Sequence, residues 1–206
     1  LAGAATGMLI QLLKGYTRLE PLNYLLWFVL PTTIGALHLA VLSVFVQVLV
    51  PQKYIGWAVM LVYVVASVAL ASAGYEHNLY NYGGAPQVPL SDMNGMARFW
   101  IGQYAFFAYW SAFALILAVL AYALWRRGTH TPLRARLAAL PRRLRGGALA
   151  LGSVGVLAWL GLGGFIYYNT NVLNRYVPAP DRQKALAELD KGFLQYEKLP
   201  LPRITD

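Results

Sequence analysis

Side chains able to do acid–base or metal chemistry are few in this sequence and poorly spaced for it. There are three histidines, His38, His77 and His130, and no cysteine among 206 residues. A zinc site needs at least three converging N, O or S ligands, and no histidine here has a second one at ligand spacing. Glu76 and His77 are neighbours, but adjacent side chains on a helix diverge by about 100°. The HExxH pattern of zinc peptidases does not occur. Three scattered imidazoles support no Ser–His–Asp relay. With no Gly-Lys dipeptide, there is also no phosphate-cradling P-loop. Without cysteine, disulfides, iron–sulfur clusters and thiolate zinc sites fall away as well. No catalytic residue, metal or cofactor is expected in this chain.

Two features remain. His38 lies deep in an apolar stretch, and ionisable groups inside a membrane are functional candidates. The plainer reading is a hydrogen bond to a neighbouring helix, in line with the similar polarity of Thr32, Thr33 and Gln47. The second feature is a run of seven arginines, Arg126, Arg127, Arg134, Arg136, Arg142, Arg143 and Arg145, with no acidic residue between them. Net charge is +9, and where those charges sit decides what they contact.

The elements that must position these groups follow from where charge is missing. The chain is 58% hydrophobic and 12% charged, against about 25% charged in ordinary soluble domains. All 25 charged residues, 17 basic and 8 acidic, fall outside four stretches: 22–50, 54–74, 99–125 and 147–168. A helix needs about 20 apolar residues to cross a hydrocarbon core of roughly 30 Å. An ionised side chain at mid-bilayer costs on the order of 3 kcal/mol, which explains so complete a partition. The fold expected is all-α, with four transmembrane helices. Trp57, Trp100, Trp125, Tyr167 and Tyr168 lie near the edges, at headgroup level. Pro31 leaves two options for the first stretch: a helix starting there with 22–30 on the interface, or one long kinked helix. Ser67/Ala71, Ala69/Ala73, Ala108/Ala112 and Ala148/Gly152, with Gly155, Gly161, Gly163 and Gly164, allow close helix packing.

Arginine-rich short loops stay in the cytoplasm. Residues 126–146 are therefore expected inside, with Lys53, while 1–21, 75–98 and the tail from 169 are expected outside. The basic residues form a juxtamembrane cluster, which excludes nucleic acid as the partner and suits anionic lipid headgroups or a docked cytoplasmic subunit. Around Arg134–Arg145, the leucines 133, 137, 140 and 144 suggest a short amphipathic helix broken at Pro141. In the outer loop, Tyr75, Glu76, His77, Tyr80 and Tyr82 beside Gly83-Gly84 form either an interfacial aromatic loop or a gate that meets substrate. In the tail, Asp181 is placed to cap a helix whose stripe is Leu186, Leu189, Phe193 and Tyr196. Segment 1–21 reads as an interfacial amphipathic piece, and 169–206 as a linker leading to a further domain.

Several strings carry a family likeness: Gln11-Leu-Leu-Lys-Gly-Tyr16, Gly74-Tyr-Glu-His-Asn-Leu-Tyr-Asn-Tyr82, Ser91-Asp-Met-Asn-Gly95, Trp125-Arg-Arg-Gly-Thr129, Tyr168-Asn-Thr-Asn-Val-Leu-Asn-Arg-Tyr176 and Leu199-Pro-Leu-Pro-Arg-Ile-Thr-Asp206. Together they resemble bacterial fusion proteins in which a type-2 ABC-exporter-like permease region precedes an aminopeptidase-N-like zinc domain. The resemblance covers essentially the whole chain, as the last permease helices and the linker. It implies a bacterial inner-membrane location, a separate ATP-hydrolysing subunit, other permease helices or a second copy as neighbours, and an extracytoplasmic peptidase after Asp206. Because the peptidase's zinc ligands are not in this sequence, no catalytic residue carries over.

The leading expectation is a permease segment of an ABC-type export system. The alternatives are a membrane anchor for an extracytoplasmic peptidase that transports nothing, and an accessory helical subunit of a larger membrane complex.

Overall fold

The structure, a computed structural model, describes residues 2–17, 19–88, 98–126, 132–194 and 196. Among them every regular element is helical. In hydrocarbon each N–H and C=O must find a partner within its own segment, and the helix is how a single segment does so. Four helices are long and apolar enough to cross a bilayer: α2 Pro21–Leu49, α3 Lys53–Ser72, α4 Phe99–Leu124 and α7 Gly147–Val172. They coincide with the four charge-free stretches to within a few residues.

Helix α1, Ala2–Leu13, is too short to cross. It lies against the first turns of α2, where Gly3 and Gly7 admit the rings of Phe28 and Tyr24. Pro31 does not start a new helix. The chain runs helically from Pro21 to Leu49 and takes a π turn over Leu25–Val29. Proline donates no hydrogen bond, and its ring presses on the carbonyl four residues earlier. A wider turn just upstream relieves that pressure without ending the helix.

Helix α4 is the hub. Half of its central stretch is buried by protein, against 6% for α2 and α3 and 11% for α7. It packs on α7 along one side and on α2 along another, while α3 packs on α2. The α4–α7 seam is close because glycines line it. A Cβ on Gly155 would lie 3.0 Å from Ile116 and 3.4 Å from the Ala112 carbonyl, and one on Gly163 would lie 3.0 Å from Tyr109. Gly161 and Gly164 face away, with nothing within 4 Å. In a bilayer the outward faces of α3 and α7, rich in exposed Val and Leu, meet lipid.

Beyond residue 168, α7 continues through a π turn over Tyr168–Val172. Its polar residues bond back to the helix: Asn169 Nδ2 donates to Phe165 O and Thr170 Oγ1 to Ile166 O, both at 2.8 Å. The short helices α5, Leu133–Ala138, and α6, Leu140–Arg143, lie at one end of the bundle. We call this the basic end. Helix α8, Ala179–Leu194, follows α7 at the other end.

Candidate functional site

At the basic end, α2 and α4 finish close together, and each exposes carbonyls that have no partner further along its helix. Arginine supplies the donors. Arg136 is 3% exposed. Its Nη1 donates to Val48 O at 2.6 Å and to Leu124 O at 3.0 Å, and its Nη2 donates to Leu49 O at 3.4 Å. Arg143 Nη1 donates to Ala123 O at 2.8 Å and Trp125 O at 3.1 Å. Arg126 donates to Pro51 O at 3.1 Å and to Val50 O. Three arginines thus tie the short basic helices and the α2–α3 turn to the ends of α2 and α4. Burial, then the nearby charges of Arg126 and Arg143, push Arg136 below its ordinary value. Arg134, Arg142 and Arg145 are exposed. Arg127 lies outside the described residues, as does His130.

Arg136 was legible as part of a charge run but not as a buried cap. The available signal was its place within Leu133–Leu137, where an inward-facing side chain reaches the ends of two apolar helices.

At the opposite end, residues 75–88 fold into the mouth of the bundle. Trp110 Nε1 donates to Asn78 O at 3.2 Å, and the Tyr82 hydroxyl donates to His38 O at 2.9 Å. Leu79, Tyr82 and Ala85 pack on a core of Phe106, Tyr109, Trp110 and Ile166. Tyr82 meets Trp110 edge-on at 5.2 Å. Gly83, at φ +77°, turns against His38, where a Cβ would stand 3.5 Å from the histidine's own. A left-handed turn pressed on another helix is a place where glycine is required.

His38 itself is buried and shares a hydrogen bond with Ser111 on α4, Nε2 to Oγ, at 2.9 Å. The five loop residues do not act as one cluster. Tyr75 and Tyr80 are exposed, Tyr82 is half-buried and His77 is buried. His77 Nδ1 accepts the Leu79 N–H at 3.1 Å, and its ring lies edge-on to Tyr176 at 4.5 Å. Burial pushes the His77 imidazole below its ordinary value.

Glu76 faces the tail as well: its Oε1 accepts the Ala179 N–H at the start of α8 and, at 3.5 Å, the hydroxyl of the same Tyr176. Helix α8 therefore begins two residues before Asp181, and its cap comes from residue 76, not from Asp181. Asp181 sits inside the first turn, 3.8 Å from Lys184. The stripe Leu186, Leu189, Phe193 and Tyr196 is exposed.

Among the described residues no three His, Asp or Glu side chains come together to hold a metal ion. The strings 91–95 and 199–206 lie outside the described residues. No protein-family model, curated protein or solved structure matches the chain.

Proposed function

We propose that this chain is the membrane-spanning permease segment of an ABC-type export system in a bacterial inner membrane, with its basic end in the cytoplasm meeting a separate ATPase. One observation carries the reading: five hydrogen bonds from Arg136 and Arg143 join α5 and α6 to the last carbonyls of α2 and α4 and to Trp125, which caps α4. A push on the short basic helices would reach two spanning helices through those bonds, not through a slack loop. Exposed Arg134, Arg142 and Arg145 offer a partner the contact surface. The test is co-purification of the full-length protein with a nucleotide-binding subunit. Replacing those three arginines with glutamate should abolish capture and leave the helix content unchanged. Capture unaffected by the triple change, or no ATP-binding partner at all, would overturn the reading.

A second reading, a membrane anchor for an extracytoplasmic zinc aminopeptidase, is favoured by a different contact. Glu76 fixes the start of α8, which ties the beginning of the tail helix to the loop at that end of the bundle. Peptidase turnover unchanged after excision of the four spans would support the anchor over the permease.

A further inference from the structure

Between α2 and α4 an open groove runs toward the basic end. Its first part, about 520 Å³, is lined by Leu37, Ala40, Val41 and Ala118. Val44 and Trp125 continue it into a second part of about 390 Å³ that ends at Ser43, Gln47 and Arg126. From Leu37 to Val48 the groove follows about 16 Å of helix axis at 1.5 Å per residue. That is close to half of a hydrocarbon core of roughly 30 Å, the depth of one leaflet.

The mouth is cationic. Arg126 stands in it, with Arg136 and Arg143 on the neighbouring helix ends, and the partners described for all three are neutral carbonyls. Residues 126–146 hold no acidic residue. Trp125 sits at the mouth, where aromatic rings favour the headgroup zone. A second copy of the chain laid on this groove would bring the same uncompensated cluster against it. An anion attached to a hydrocarbon chain matches both halves of the site.

We propose that this groove binds one anionic glycerophospholipid, its phosphate against Arg126 and one acyl chain along Val44, Val41 and Leu37. The inference needs only helices standing in a bilayer. It holds or fails independently of any ATPase and of which way up the chain lies.

The test is native mass spectrometry of the purified full chain, titrated with dioleoyl-phosphatidylglycerol or dioleoyl-phosphatidylcholine. We expect one retained phosphatidylglycerol and a preference of about tenfold over the choline lipid. Arg126→Gln should remove the preference, and Arg126→Lys, which keeps the charge, should retain it. Ala118→Phe at an exposed groove position should weaken retention, whereas exposed Arg134→Gln, an equal loss of charge outside the groove, should not. Equal retention of the two lipids would overturn the proposal, as would indifference to Ala118→Phe. So would displacement of the lipid by inorganic phosphate, or a dimer that Ala118→Phe dissociates.

Discussion

Arg136 Nη1 lies 2.6 Å from the carbonyl oxygen of Val48, 88 residues away in the sequence. The bond closes the end of α2 with a side chain that belongs to the segment after α4. A buried guanidinium that satisfies carbonyls of two helices at once is a structural clasp, and its removal leaves those carbonyls facing a low-dielectric interior.

Arg136→Gln should therefore cost about 3 kcal/mol, since hydrogen bonds from charged donors contribute roughly 1.5–3 kcal/mol each and do not add fully. Arg136→Lys should rescue little of this, because an ammonium lacks the planar fork that spans two helix ends. Exposed Arg134→Ala should stay within about 0.5 kcal/mol. Thermal or denaturant unfolding in detergent reads all three. Equal stability of the Arg136 and Arg134 variants would contradict the clasp.

The α4–α7 seam makes a second prediction. Gly155→Leu and Gly163→Leu should each cost roughly 1–3 kcal/mol, because Ile116 and Tyr109 stand where the new side chains must go. Gly161→Ala and Gly164→Ala meet open space and should be neutral or slightly stabilising. Unfolding midpoints that do not separate the two pairs would show that the seam is elsewhere.

The four crossing helices were legible because the bilayer imposes one coarse rule, no ions in oil, on every residue of a span. The glycines were legible only as a set. Gly155 and Gly161 differ by which side of α7 they occupy, and that depends on where α4 lies. Pro31 left two options open because a proline can either end a helix or be absorbed by a wider turn upstream, and here the π turn over Leu25–Val29 absorbs it. Glu76 could not be read as the cap of α8, since its partner Ala179 stands 103 residues away. Asp181, three residues from Lys184, offered a nearby and misleading candidate. His38 was legible as a polar residue needing a partner, but Ser111 was one of many hydroxyls that could have supplied it.

Glu76 gives the third prediction. Glu76→Ala should destabilise the start of α8 by about 1 kcal/mol, the usual worth of an N-terminal cap. Glu76→Gln keeps an acceptor but loses the charge that the helix dipole favours, so its effect should be smaller. Hydrogen exchange along Arg182–Leu194 reports this, and unchanged protection in Glu76→Ala would remove the cap from the account.

The loop should respond to acid. Burial holds the His77 imidazole below its ordinary 6.5, and its Nδ1 must stay unprotonated to accept the Leu79 N–H. As pH falls, the unfolded loop takes up the proton before the folded one. The contribution is therefore fully present above about 6.5 and is lost as pH drops through the lower folded value. Exchange protection of the Leu79 amide, corrected for intrinsic rates, should fall between about pH 7.5 and about pH 5, and His77→Gln should flatten that dependence. Equal protection at both values would contradict it.

The proposed function requires the basic end and the loop end to lie on opposite sides of a membrane, with the arginines inside. Because the native chain has no cysteine, single substitutions report position directly. In intact cells a membrane-impermeant maleimide should label Tyr80→Cys, and should reach Arg134→Cys only after the membrane is permeabilised. Labelling of both in intact cells, or of Arg134→Cys alone, would contradict the account.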